Sequence, residues 1–228
     1  MTALGPELGG ASCACLIVLD GWGIAPEGPG NAIDQARTPN FDRLWVEYPH
    51  AALEASGPSV GLPDGQMGNP EVGHLTLGAA AVVPQTLTLI DDAVAGGALA
   101  GNPVLRDALS ASERVHLLGM VSDGGVHSGF RHLHALVELA AALQVKDLVL
   151  HCFTDGRDTS PTSGEGYLAT LEDWCRRAGV GRIATVVGRY FAMDRDRRWE
   201  RIQPAYDLLV HGRAEHDTPD GPSAARAA

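Results

Sequence analysis

Short apolar runs alternate with amphipathic stretches along most of this chain, and no other feature restricts its fold as strongly. Cys13-Ala14-Cys15-Leu16-Ile17-Val18-Leu19 is continuously apolar and stops at Asp20-Gly21, the pattern of a strand buried on both faces. Further runs predict strands at 115–120, 148–153 and 183–187, with helices at roughly 130–143, 163–177 and 198–210. An earlier helix opens at Thr38-Pro39, Thr38 as N-cap and Pro39 in the first turn. Its Phe41, Leu44, Trp45 and Tyr48 follow the i, i+3, i+4, i+7 spacing of one apolar face. Strand and helix in alternation imply an α/β fold with a mostly parallel sheet and right-handed crossovers. Residues 1–12 read as a loose leader, and the Ala-, Pro- and Gly-rich tail from Thr218 as an unpaired segment.

A chain of 228 residues allows one large domain or two small ones. Its formal net charge of −11 withholds the basic field that nucleic acid or an anionic membrane requires, so neither is an expected partner. An acidic protein can still bind a phosphorylated acid, provided its arginines are concentrated in one cleft. The cysteines at 13, 15, 152 and 175 show neither zinc spacing nor a disulfide framework, and read as reduced core thiols. The first basic residue is Arg37 and the run 13–19 is too short to span a bilayer. The expected location is the cytoplasm.

Open parallel sheets bind ligands beyond the carboxyl ends of their strands, and every predicted strand here ends in a polar cluster. Asp20 follows the first, and Ser122-Asp123-Gly124-Gly125-Val126-His127 the second. Asp155-Gly156-Arg157-Asp158 follows the third, and Gly188-Arg189-Tyr190, with Asp194-Arg195 just beyond, the fourth. Taken singly, each has a plain explanation. Asp20-Gly21 reads as a turn, any one arginine as a solvated charge, and His127 as a helix cap or turn filler. His132 and His134, two apart on one helix, face different sides and read as surface or packing groups. Repeated at equivalent positions, the clusters suggest a site. The Gly-Gly pairs at 96–97 and 124–125 lack the spacing of a nucleotide-binding loop.

Two motifs add a family. Gln66-Met67-Gly68-Asn69-Pro70-Glu71-Val72-Gly73-His74 and Asp20-Gly21-Trp22-Gly23 closely resemble the cofactor-independent phosphoglycerate mutases, and the resemblance continues from about Leu16 to about Tyr206. It implies interconversion of 3-phosphoglycerate and 2-phosphoglycerate in glycolysis through a phosphoenzyme. It also implies two manganese ions, phosphoglycerate as the ligand and a mostly monomeric protein. The resemblance makes Asp20 a manganese ligand, and a hard carboxylate oxygen suits that ion. It assigns His127, Arg157, Arg189 and Arg195 to substrate binding, and Asp158 to substrate binding and proton shuttling. A guanidinium grips phosphate or carboxylate through paired hydrogen bonds, and a carboxylate can serve as acid and base in turn.

The family's fifth nonapeptide residue is the serine that carries the phosphoryl group. Here it is Pro70, which has no hydroxyl and cannot be a nucleophile. Thr76, six residues on, would project from another turn and is a poor stand-in. The resemblance divides the chain into 13–84, the opening part of an alkaline-phosphatase-like metal domain, and 85–228, the front of an inserted α/β substrate-binding domain. The family's later Asp and His ligands, second arginine pair and lysine find no match here. One carboxylate does not hold a manganese pair. The expectation is a mutase by descent whose chain turns over little or nothing by itself. A non-catalytic phosphoglycerate-binding module and a metal-dependent phosphatase are the alternatives, the phosphatase equally opposed by Pro70.

Overall fold

The computed structural model describes residues 15–227, so the leader expected over 1–12 and the start of the run 13–19 lie outside the described residues. Residues 15–19 form no strand and are exposed, Leu16 and Ile17 at 76% each. A strand exists through ladder hydrogen bonds to a neighbour, and no described segment supplies them to residues 15–19, so no strand forms over the described part of the expected first one. The turn at its end is real. Trp22 N donates to Leu19 O at 3.2 Å, with Gly21 at φ 74°, a position that glycine fills without strain.

Helices α1 (Ala32–Gln35) and α2 (Pro39–Glu47) follow. Pro39 does start α2, but the Thr38 hydroxyl donates to the Asp42 carboxylate at 2.8 Å and caps no backbone amide. The aromatic stripe packs on itself, with Trp22 and Phe41 rings 5.0 Å apart and Phe41 and Trp45 5.8 Å apart. Leu44 and Trp45 on α2, and Tyr48 just past its end, stay exposed. A 3-10 turn at Gly57–Val60 leads to α3 (Pro70–Ala79), α4 (Thr86–Ala95), α5 (Ala98–Gly101) and α6 (Pro103–Ser110). Asn69 and Asn102 cap α3 and α6 with their side-chain oxygens, each followed by proline at the first helical position, where no N–H is needed. Val72 of α3 buries itself against Val60 and Leu62.

From there strand and helix alternate as the sequence predicts: β1 (Arg114–Val121), α7 (Phe130–Ala142), β2 (Asp147–Thr154), α8 (Gly164–Ala178), β3 (Arg182–Gly188), α9 (Arg189–Ala192), α10 (Trp199–His211) and α11 (Gly221–Ala227). The three strands are all parallel, with β2 in the centre. Leu148, Leu150 and Cys152 of β2 meet Val137, Leu139 and Ala140 of α7 and Leu168, Leu171 and Cys175 of α8 in the main core. Burial pushes the Cys152 thiol up to about 12 and the Cys175 thiol up to about 11, so both stay protonated and inert.

The tail departs from expectation. Residues from Gly221 form α11, which packs on α8 and β3. Gly221 N donates to Glu172 Oε1 at 2.8 Å, and Arg226 pairs with Glu165. Its glycine and proline sit at the helix start, where they are tolerated, and three alanines, the best helix formers, follow with Ser223 and Arg226.

Candidate functional site

The register of the sheet builds the site. Val121 lies opposite Thr154, and Thr154 opposite Gly188, so the next residue after each strand (Ser122, Asp155, Arg189) emerges at one level. The side chains join there. Ser122 Oγ donates to Asp155 Oδ2 at 2.6 Å, and Arg189 Nη1 donates to Asp155 Oδ1 at 2.6 Å and to Asp158 Oδ2 at 2.5 Å. Asp155 Oδ1 also accepts the backbone N–H groups of Arg157 and Asp158, at 3.1 and 3.0 Å. These bonds curl the segment after β2 into a tight loop, as an Asp at a turn commonly does. Gly124 lets the β1 loop approach it, since a Cβ there would stand 3.0 Å from that of Asp158.

The Asp155 side chain is 2% exposed. Burial by itself would raise its pKa. The Ser122 hydroxyl, the two backbone amides and the Arg189 guanidinium outweigh that and hold the carboxyl well below the usual range. Arg189 is held in its charged form chiefly by Asp158, and by Asp155 with it.

A cleft of about 560 Å³ opens over this network, lined by His127, Arg157, Asp158, Arg189 and Arg195 together with Asp155, Tyr190, Asp194 and Arg201. Every residue that the sequence reading assigned to substrate binding is therefore on one wall or another of a single cleft. They differ in commitment. Arg189 is already neutralised by two carboxylates, whereas Arg157 and Arg195 are exposed and enter no ion pair among the described residues. Arg195 is carried by a loop organised around Asp194, whose Oδ2 accepts the backbone N–H groups of Asp196 and Arg198 at 3.1 and 2.9 Å. Arg201 faces the same carboxylate at 3.6 Å and lies over the Tyr190 ring, 4.1 Å from its centroid. The whole is a concave surface with two free guanidiniums, an imidazole and a held carboxylate, able to grip an anion and move a proton beside it.

Ser122, Asp155 and Asp194 stood in the strand-end clusters without a role. The signal for Asp155 was an Asp directly after a buried strand and two before an arginine. Arg201 was missed, because a lone arginine on an amphipathic helix carries no sequence signal. His132 and His134 are packing groups as expected: His132 Nε2 lies 2.9 Å from Asp91 Oδ1, and the His134 ring lies tilted against Trp174, centroids 4.3 Å apart.

Asp20 and Pro70 are not among the residues lining this cleft. Pro70 occupies the first position of α3, and Thr76 Oγ1 on the same helix is buried with no partner, which keeps it from serving as the missing hydroxyl. Asp20 is exposed in its turn. Among the described residues no three His, Cys, Asp or Glu side chains come together to hold a metal ion. The described residues do not fit a two-metal centre. No described helix is long and apolar enough to cross a membrane.

A parallel sheet with a charged cleft beyond its strand ends defines an α/β protein of the strand-end-cleft class. The chain belongs to the family described as BPG-independent PGAM N-terminus, which residues 90–227 match. It is 53% identical over 201 residues to the 2,3-bisphosphoglycerate-independent phosphoglycerate mutase of Moorella thermoacetica, covering 86% of this chain and 39% of that one. The corresponding mutase of Thiobacillus denitrificans is also 53% identical, over 204 residues, covering 88% of this chain and 40% of that one. Among solved structures, the phosphoglycerate mutase of Leishmania mexicana, crystallised at low cobalt concentration, superposes with a TM-score of 0.73 at 34% identity, covering 92% of this chain and 40% of that one. The chain thus spans about two fifths of the length of the curated relatives it matches.

Proposed function

We propose that this chain supplies the phosphoglycerate-binding cleft of a cofactor-independent mutase, which interconverts 3-phosphoglycerate and 2-phosphoglycerate in glycolysis. The observation that carries the reading is the meeting of His127, Arg157, Asp158, Arg189 and Arg195 in one cleft. Arg157 and Arg195, with no carboxylate partner among the described residues, take the phosphate and carboxylate groups of the ligand. Asp158, held by Arg189, shuttles the proton between the glycerate hydroxyls. The same reading divides the chain into a phosphatase-like part at 13–84 and an insert part at 85–228. The separation of the Val60, Leu62 and Val72 cluster from the main core supports that division. The reading makes manganese the metal of the whole mutase, with Asp20 this chain's contribution, and the cytoplasm its location, which free buried thiols suit.

Acting alone, the chain binds and does not turn over. Pro70 stands where a phosphoenzyme needs a hydroxyl, which favours a binding module and opposes a phosphatase. Titration of 3-phosphoglycerate into the chain, followed by calorimetry, tests the reading. The expected Kd is about 1 mM, near −4 kcal/mol. Since a hydrogen bond to a charged group contributes about 1.5–3 kcal/mol, Arg157→Ala should weaken binding about tenfold. Equal binding by the two chains overturns it.

A further inference from the structure

The bonding around Asp155 exceeds what a turn requires. Its carboxylate accepts from Ser122 after β1, from the Arg157 and Asp158 amides in its own loop after β2, and from Arg189 after β3. It is thus bonded to the residues that follow all three strands. We infer that Asp155 is the positioning residue of the cleft, setting the pose of Arg189 and of the loop that presents Arg157 and Asp158. Its consequence for ligand affinity rests on the phosphoglycerate reading above.

The physical case is one of alternatives. Without Asp155, Arg189 keeps only Asp158 as a partner, and Asp158 belongs to the loop whose shape Asp155 fixes. Both ends of that ion pair would then be free to move together. A buried carboxylate at 2% exposure is also too enclosed to be a principal ligand contact. Its influence passes through neighbours. Asparagine is the informative replacement. It keeps the shape and one acceptor for the loop amides and Arg189, its NH₂ can donate to the Ser122 hydroxyl, and what it removes is the negative charge that holds the guanidinium.

The test uses the full 228-residue chain and two-dimensional NMR of backbone amides and arginine guanidinium groups, with 3-phosphoglycerate as titrant. Two carboxylate partners should slow exchange of the Arg189 guanidinium in the parent chain, and in Asp155→Asn the sheet amides should stay in place while those signals lose protection. Affinity for 3-phosphoglycerate should fall about tenfold. Arg157→Ala should weaken binding and leave the Arg189 signals untouched, which separates ligand contact from positioning. Should Asp155→Asn fail to fold, Ser122→Ala removes one donor from the same carboxylate, with partial loss of Arg189 protection and a fall of about threefold. Unchanged Arg189 signals in the folded Asp155 variant, or in Ser122→Ala if it replaces that variant, overturn the inference. If the parent binds no 3-phosphoglycerate, the proposed function fails, and the Arg189 signals still decide the positioning role.

Discussion

Two opposing effects meet on the Asp155 carboxyl, and the balance has a pH signature. Burial disfavours its charge, while Ser122, the Asp158 and Arg157 amides and Arg189 favour it, and the second group wins. The folded carboxyl therefore binds its proton less readily than the unfolded one, whose pKa is about 3.9. Stability from this group is fully present above that value and is lost as pH falls below it. Urea unfolding at pH 7 and at pH 3 should show a drop for the parent chain. The drop should be smaller for Asp155→Asn, which starts less stable but has no carboxyl to titrate. Equal drops in the two chains would show that other carboxylates, such as Asp147 beside Arg182 and Arg114, carry the acid sensitivity. Residue roles of this kind were half legible. Arginines beside glycines after apolar strands were visible in the sequence, but which guanidinium is neutralised and which is free depends on side chains some thirty residues apart.

From Arg114 to Gly188, helices and strands follow their local patterns, because the apolar faces of α7 and α8 pack against β2. The exceptions are instructive. α2 has the right spacing for a buried face, yet Leu44 and Trp45 are exposed, since spacing specifies a face and not what covers it. α11 erred the other way. Its composition resembles a linker, although its alanines permit a helix, and it packs on the edge made by α8 and β3. Removing residues 218–228 should therefore uncover Ile183 and the α8 side of the core and lower the melting temperature by several degrees. For a domain of this size each kcal/mol lost shifts it by about 2–4 °C. Thermal unfolding by circular dichroism measures this, and an unchanged midpoint would mean that α11 contributes nothing to the fold.

For the molecule as a whole, the nonapeptide reaches the loop after β1 through Gln66, which donates to Gly125 O at 3.2 Å, but Pro70 is not among the residues lining the cleft. The cleft is assembled from three strand ends, while the motif that resembles a nucleophile loop carries Pro70 at the start of α3. A coupled assay with 3-phosphoglycerate and manganese should detect no turnover by this chain. Pro70→Ser should not restore it, because a hydroxyl needs a neighbouring base or metal to become a nucleophile. The substitution should leave α3 intact, Asn69 still capping Val72 N. Turnover near ordinary enzyme rates of about 1–10³ s⁻¹ in either chain would overturn the argument.

The sequence by itself determined the α/β alternation, the parallel strands at 115–120, 148–153 and 183–187, and the family to which the nonapeptide and Asp20-Gly21-Trp22-Gly23 point. Those are local properties, written in periodicity, capping residues and short motifs. The tertiary structure decided the rest. Register aligned Ser122, Asp155 and Arg189 at one level, committed Arg189 to two carboxylates and left Arg157 and Arg195 without one. It also left residues 15–19 unpaired and made a helix of the tail. Hydrogen bonds between segments far apart in the chain depend on distances that no local pattern records.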